Sequence, residues 1–127
     1  MEKLVTTKSN EDYLEDILIF ELENPGVEMK STLLAAESNV SRAAIVKATK
    51  ELKDKGLINK TEYGKISLTA KGRKLAQKIY HKHNTIMNLL LAVGVDQETA
   101  SKECCLIEHV VSEETIVVFD EFLKKNQ

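Results

Sequence analysis

Apolar side chains recur along most of this chain at the spacing of an α-helix. In the first such stretch they return every three or four residues, which predicts a helix that begins at Ser9 or Asn10 and ends at Glu23. Its apolar positions are Tyr13, Leu14, Ile17, Leu18 and Leu22. The sequence Asn-Pro-Gly follows directly and predicts the end of this helix.

A short helix, a turn and a second helix are predicted next. The short helix covers residues 30–37, and the second covers residues 42–55. Ser41 is well placed to cap the second helix, because a serine oxygen at this position accepts a hydrogen bond from the first turn. Gly56 ends it.

The remainder of the chain reads as a hairpin followed by helices. Two brief β-type runs, residues 57–60 and 65–68, flank a segment in which Gly64 can take the positive φ of a tight turn. Three more helices are predicted over residues 70–93, 96–110 and 112–124. The fold class is therefore mostly α, with one small sheet.

Composition and length indicate a soluble globular protein of one or two small domains. With 43% apolar and 30% charged residues, the chain has no bias typical of disorder. It has no apolar run of about 18 residues and no signal-peptide pattern, so we predict a cytoplasmic protein with no membrane segment. The two cysteines, Cys104 and Cys105, are neighbours, which very rarely bridge each other, so we expect reduced thiols.

Charge is distributed unevenly along the chain. Residues 1–29 carry eight acidic and two basic side chains, residues 30–82 carry four acidic and thirteen basic, and residues 83–127 carry eight acidic and three basic. A clustered positive segment is typical of phosphate binding, although it can also be a solvated face. The acidic flanks suit a cation.

Helix, turn, helix and hairpin inside the cationic segment form the pattern of a winged helix-turn-helix. In this motif the second helix enters the major groove of DNA, and nearby cations contact phosphates. Arg42 can bind guanine through two hydrogen bonds, and Ala43 or Ala44 can contact a thymine methyl group. The predicted DNA-binding residues are Ser41, Arg42, Ala43, Ala44, Lys47, Lys50, Lys60 and Lys65, with Lys53 as a further phosphate contact. The alternative is an ordinary charged helix packed on a hairpin.

Cys105, Glu108 and His109 form a candidate metal site. Positions i, i+3 and i+4 of a helix project from one face, so a thiolate, a carboxylate and an imidazole are expected within reach of one ion. The alternative is a partly exposed helix end without a ligand. Cys104 lies about 100° around the helix from Cys105, and we expect it in the core.

Several segments together resemble the diphtheria toxin repressor and manganese transport regulator family of metal-dependent transcriptional repressors. The resemblance covers nearly the whole chain. It is carried by residues 11–15 (EDYLE), 68–72 (LTAKG), 82–83 (KH), 94–96 (GVD) and 105–110 (CLIEHV). It implies an N-terminal winged helix-turn-helix domain (1–72) followed by an α-helical dimerisation and metal-binding domain (73–127).

The resemblance also implies the metal ligands. Transferred to this chain, they are Asp12, Glu15, His83, Cys105, Glu108 and His109. In the manganese-sensing members a pair of ions shares bridging carboxylates. The first ion would be held by Asp12, Glu15, His83 and Glu108, and the second by Glu15, Cys105, Glu108 and His109.

Two departures from the family pattern bear on the metal. Manganese sensors carry Glu where Cys105 stands, whereas iron sensors carry Cys there but Met where Asp12 stands. Thiolate favours Fe(II), Co(II) or Zn(II), and carboxylates suit Mn(II) and Fe(II). We therefore rank Fe(II) first, Mn(II) second, and Zn(II) or Co(II) after them.

The resulting hypothesis is a homodimeric regulator that binds double-stranded operator DNA when loaded with a divalent metal. We predict that it is not an enzyme. Metal binding would join the first helix to the dimerisation helices, so that two recognition helices meet successive major grooves about 34 Å apart. Two alternatives remain open: a winged-helix regulator that senses an oxidant or organic ligand through Cys104 and Cys105, and a small metalloenzyme.

Overall fold

The chain folds mainly into helices, as its apolar spacing predicts. The computed structural model describes residues 10–126. In chain order the elements are α1 (Asn10–Glu23), β1 (Met29–Lys30), α2 (Ser31–Ser38), α3 (Arg42–Asp54), β2 (Ile58–Lys60), β3 (Lys65–Leu68), α4 (Ala70–Ala92), α5 (Gln97–Ile107) and α6 (Glu113–Lys125). The alternative helix start at Ser9 lies outside the described residues.

Short polar side chains fix where the later helices begin. Ser41 Oγ accepts a hydrogen bond of 3.1 Å from Ala44 N at the start of α3, which confirms the predicted cap. The side chains of Asp96 and Ser112 accept equivalent bonds at the starts of α5 and α6. Asn39 ends α2 in the left-handed conformation, with φ of 55°.

The sheet has three antiparallel strands in the order β1-β3-β2. The hairpin of β2 and β3 is confirmed, with Ile58 opposite Leu68, and Gly64 has the positive φ that the turn requires, 78°. β1 was not predicted from the sequence. It has two residues and is defined by the pairing of Met29 with Ile66. These two residues are far apart in the sequence, so no local pattern predicts the pairing.

Helix α4 begins directly against the backbone of the hairpin. Thr69 N donates to Leu57 O at 3.1 Å, and Thr69 Oγ1 accepts from Gly72 N at 3.0 Å. A Cβ at Gly72 would lie 1.8 Å from Leu57 O, so only glycine permits this approach.

Two compact units divide the chain between Gln77 and Lys78, inside α4. The first unit has a core whose most buried side chains are Leu14, Ile17, Leu34, Ile45 and Leu52. In the second unit Ile86, Cys104 and Ile116 form the buried cluster. The domain boundary predicted at residues 72 and 73 stays a prediction. Among the described residues no helix is long and apolar enough to span a bilayer.

Candidate metal centre and DNA-binding surface

The second unit brings three of the predicted metal ligands together. His83 projects from the middle of α4, and its Nδ1 lies 3.0 Å from Oε2 of Glu108, the residue at the C-terminal end of α5. His109 Nε2 lies 3.5 Å from the other oxygen of the same carboxylate. Glu108 is 2% exposed, so two imidazoles face a buried carboxylate.

The environment of Glu108 fits a cation. Its Oε1 is buried and has no hydrogen-bond partner among the described residues. Taking a carboxylate out of water costs several kcal/mol, and a pairing that satisfies only one oxygen well recovers this cost incompletely. Carboxylate oxygen and imidazole nitrogen are donors that divalent transition metals accept.

The helix carrying these residues ends earlier than predicted. α5 stops at Ile107, and Glu108 caps its C-terminal end with helical backbone, since its N–H still donates to Cys104 O at 3.0 Å. His109 lies in the turn after it instead of on a helix that continues to Val110. The N–H groups of Val110 and Val111 both donate to Ile107 O, at 3.0 and 3.2 Å, which tightens the chain into a turn. The predicted helix end at Val110 is therefore wrong, whereas the convergence of Cys105, Glu108 and His109 on one ion stays a prediction.

The two cysteines differ in exposure, but their thiols contact the same backbone carbonyl. Cys104 is fully buried beside Ile86, which confirms its core position, and Cys105 is exposed. The Sγ atoms of both lie near Ser101 O, at 3.5 Å for Cys104 and 3.3 Å for Cys105. Cys104 Sγ is also 3.6 Å from His83 Nδ1. Its sequence position predicts only burial in the core and gives no sign of this contact with His83.

Asp12 and Glu15 lie on α1, in the first unit. They are three residues apart and share one face of the helix, as predicted. Glu15 is buried, at 6% exposure, and Asp12 is half-buried. The six-residue ligand set taken as a whole, with contributions from both units, stays a prediction.

A second polar network joins α4 to α6 and was not foreseen. His81 is exposed, and its Nε2 lies 2.7 Å from Asp120 Oδ2. Thr85 Oγ1 donates to Asp120 Oδ1 at 2.6 Å. Burial raises the pKa of Asp120, but the hydrogen bonds of Thr85 and His81 outweigh it, so the pKa lies below its usual value. The partners are distant in sequence, so no local signal reveals them.

The predicted reading edge of α3 is accessible. Ser41, Arg42 and Ala43 are exposed at its N-terminal end, and Ala44 is half-buried. Lys47 and Lys50 are exposed further along the helix. These exposures leave the N-terminal turn of α3 free to contact a major groove.

The predicted phosphate contacts from the hairpin have partners within the protein. Lys60 Nζ donates to Thr49 Oγ1 at 3.0 Å, and Lys65 Nζ lies 3.1 Å from a carboxylate oxygen of Glu28. Tyr63, at the tip of the hairpin, is 86% exposed and was not singled out by the sequence analysis.

Comparison with known proteins identifies relatives of both the second half and the whole chain. Residues 69–127 match the family described as "Iron dependent repressor, metal binding and dimerisation domain". The chain is 39% identical over 120 residues to an uncharacterised HTH-type transcriptional regulator of Methanocaldococcus jannaschii, covering 94% of this chain and 95% of the relative. It is 37% identical over 116 residues to the transcriptional regulator MntR of Escherichia coli O6:H1, covering 91% of this chain and 74% of that protein.

Solved structures share the fold over most of the chain. The manganese regulator SloR superposes with a TM-score of 0.80 at 28% identity, covering 94% of this chain and 55% of that one. T. acidophilum IdeR superposes with a TM-score of 0.80 at 27% identity, covering 94% of this chain and 56% of that one. This chain therefore spans about half the length of these solved chains.

These relatives confirm the predicted fold class, a winged helix-turn-helix followed by a helical dimerisation domain. The curated relatives are regulators of transcription and not enzymes, so the metalloenzyme alternative gains no support from them. The chain belongs to the diphtheria toxin repressor and manganese transport regulator family of metal-dependent transcriptional repressors.

Proposed function

We propose that this chain acts as a cytoplasmic homodimer that binds operator DNA when it holds a divalent transition metal. The observation that carries the proposal is the buried Glu108 carboxylate, which faces His83 at 3.0 Å and has one oxygen without a hydrogen-bond partner among the described residues. Such a group is stable when a positive charge compensates it.

The proposed ligands come from both units. Asp12, Glu15, His83 and Glu108 supply oxygen and nitrogen donors, and Cys105 and His109 add a thiolate and a second imidazole. A bound ion would supply the positive charge that these carboxylates require. The carboxylates of α1 and the imidazole of α4 would then have to keep one mutual arrangement, which fixes the placement of the DNA-binding unit relative to the second unit.

We propose Fe(II) as the first choice of metal and Mn(II) as the second, with Zn(II) or Co(II) after them. Carboxylates and imidazoles accept both of the first two ions. The thiolate of Cys105 shifts the preference toward Fe(II), because softer donors favour ions later in the first transition row than manganese.

The proposed DNA contacts begin with α3. Its exposed N-terminal turn offers Arg42 to a guanine edge, and Lys47 and Lys50 extend the positive charge along the same helix. Positive side chains of the hairpin, Lys60 and Lys65, would contact the phosphate backbone. Two copies would place their α3 helices in successive major grooves of one face of the duplex.

Exposed apolar side chains in the second unit suit a homodimer. They are Leu91, Val93, Leu106, Val110, Val117, Val118 and Phe122. Exposing this many large apolar side chains to water is costly, and a second copy of the chain can bury them in a twofold interface.

The decisive experiment is DNA binding by the purified protein under anaerobic conditions, titrated separately with Fe(II), Mn(II) and Zn(II). We expect Fe(II) or Mn(II) to raise affinity for operator DNA at least tenfold in the wild type. Glu108→Ala should remove this response, whereas Glu103→Ala, an exposed carboxylate on the same helix, should keep it. Equal DNA affinity with and without metal would refute the proposal.

A further inference from the structure

We propose that Cys104, Cys105 and His83 form a second metal site that takes a thiophilic ion such as Zn(II) or Cd(II). Nothing in the family resemblance assigns a ligand role to Cys104. The three residues belong to one unit, on α4 and α5, so the site needs no contribution from α1.

The direction of the two thiols carries this inference. Adjacent residues of a helix normally point about 100° apart. Here both thiols donate to the same carbonyl, that of Ser101, so the sulfur atoms converge. One nitrogen of His83 and the two sulfur atoms all lie within 4.8 Å of one another.

These distances are close to those of a tetrahedral ion. At metal–sulfur and metal–nitrogen lengths of about 2.3 and 2.0 Å, the two sulfurs of a zinc site lie roughly 3.8 Å apart, and each sulfur lies roughly 3.5 Å from the nitrogen. The distance from Cys104 Sγ to His83 Nδ1 is 3.6 Å. Cys105 Sγ lies within 4.8 Å of the other two donor atoms, so its side chain would have to move about 1 Å or less to reach these lengths.

The surroundings of the two thiols suit a soft ion that keeps one coordination position open to water. Cys104 is fully buried against Ile86 and Ile116, and a dry apolar shell strengthens the attraction between a cation and a thiolate. Cys105 is exposed, which gives an ion a path from solvent and leaves room for water as the fourth ligand.

The two proposed sites share one imidazole, that of His83, and one thiol, that of Cys105. His83 Nδ1 lies 3.0 Å from Glu108 Oε2 on one side and 3.6 Å from Cys104 Sγ on the other. An ion bound by the two sulfurs takes His83 away from the carboxylates, so a thiophilic ion antagonises the ion that activates DNA binding. This antagonism rests on the proposed function, whereas binding by the thiols does not.

The test is a titration of the full chain with Cd(II) alone, followed by the thiolate-to-metal charge-transfer absorbance. We expect Cys104→Ser and Cys105→Ser each to lose about half of the absorbance per bound ion, and His83→Gln to weaken binding at least tenfold. Asp12→Asn, which removes a carboxylate of the other set, should leave the absorbance unchanged. An absorbance that Cys104→Ser does not reduce would overturn the proposal.

A wild-type measurement gives an independent criterion, because a hydroxyl at position 104 also disturbs the apolar cluster. The cadmium NMR chemical shift of the wild-type complex should correspond to two sulfur ligands, and a one-sulfur shift refutes the site. The two proposals fail separately. A wild type that shows the two-sulfur signal but no metal-dependent DNA binding contradicts only the proposed function. A wild type that shows metal-dependent DNA binding but a one-sulfur signal contradicts only this site.

Discussion

Replacing Glu108 by Gln should stabilise the metal-free protein while it abolishes the response to metal. Glu108 is 2% exposed, and its isosteric amide retains a hydrogen bond to His83 without a buried charge. Removing the charge recovers a desolvation cost of several kcal/mol, and exchanging a charge-assisted for a neutral hydrogen bond loses about 1 kcal/mol. We expect a net stabilisation of about 1 to 3 kcal/mol for Glu108→Gln without metal.

Metal should reverse the order of stability. An ion at a hundredfold excess over its Kd stabilises a folded protein by about 2.7 kcal/mol. For a chain of this size 1 kcal/mol corresponds to about 4 °C in Tm, so the wild type should gain about 10 °C and Glu108→Gln almost nothing.

Scanning calorimetry or thermal circular dichroism at fixed protein concentration, with and without Mn(II), measures both effects. Glu103→Gln, an exposed carboxylate of the same helix, serves as the matched control and should behave as the wild type in both conditions. A Glu108→Gln protein that is less stable than the wild type without metal would refute the argument that the two imidazoles compensate this carboxylate only in part. A wild-type response to Mn(II) in that variant would refute its role as a ligand.

Three further predictions concern the fold. Ser41→Ala removes the cap that Ala44 N contacts at 3.1 Å and should lower the free energy of unfolding by about 1 kcal/mol, measured in urea. Gly72→Ala places a Cβ 1.8 Å from a backbone oxygen and should lower the free energy of unfolding by more than about 3 kcal/mol. Gly26→Ala meets nothing within 4 Å and should lower it by about 1 to 2 kcal/mol, from its φ of 80° alone. Equal decreases in the two variants would contradict the clash at Gly72. Because the folded pKa of Asp120 lies below the usual 3.8, its stabilising effect is present above that pH and is lost as pH falls through the folded pKa. Asp120→Asn should therefore flatten the stability profile in that acidic range, and an unchanged profile measured by urea titration would contradict it.

Features encoded within a few residues were predictable from the sequence. The cap at Ser41 and the positive φ at Gly64 depend on local backbone chemistry, and both are found in the structure. The two-residue strand β1 was missed because it is defined by pairing with Ile66, far along the chain. The end of α5 at Ile107 was misplaced because the apolar pattern continues through Val110 and Val111 although the backbone turns.

In the candidate metal site, too, some features were predictable from the sequence and others depend on long-range packing. Residue types and the family resemblance selected His83 and Glu108, which the structure brings to 3.0 Å. The angle of about 100° between neighbouring residues of a helix, however, predicts that Cys104 and Cys105 point apart and that Cys104 lies in the core. The direction of a thiol depends on its side-chain rotamer and on the helix packed against it, so the contact between Cys104 and His83 required coordinates.

The ion pair between Lys65 of β3 and Glu28 bears on how tightly the hairpin can bind the backbone of any duplex. Any phosphate that approaches Lys65 exchanges one anionic partner for another, and Glu28 is then left beside the polyanion. Because both side chains are about half exposed or more, this competition is worth only about 0.2 to 1 kcal/mol per subunit. Because the cost is the same for every duplex, it lowers the affinity for all DNA by one factor and leaves the choice between sequences to the side chains of α3.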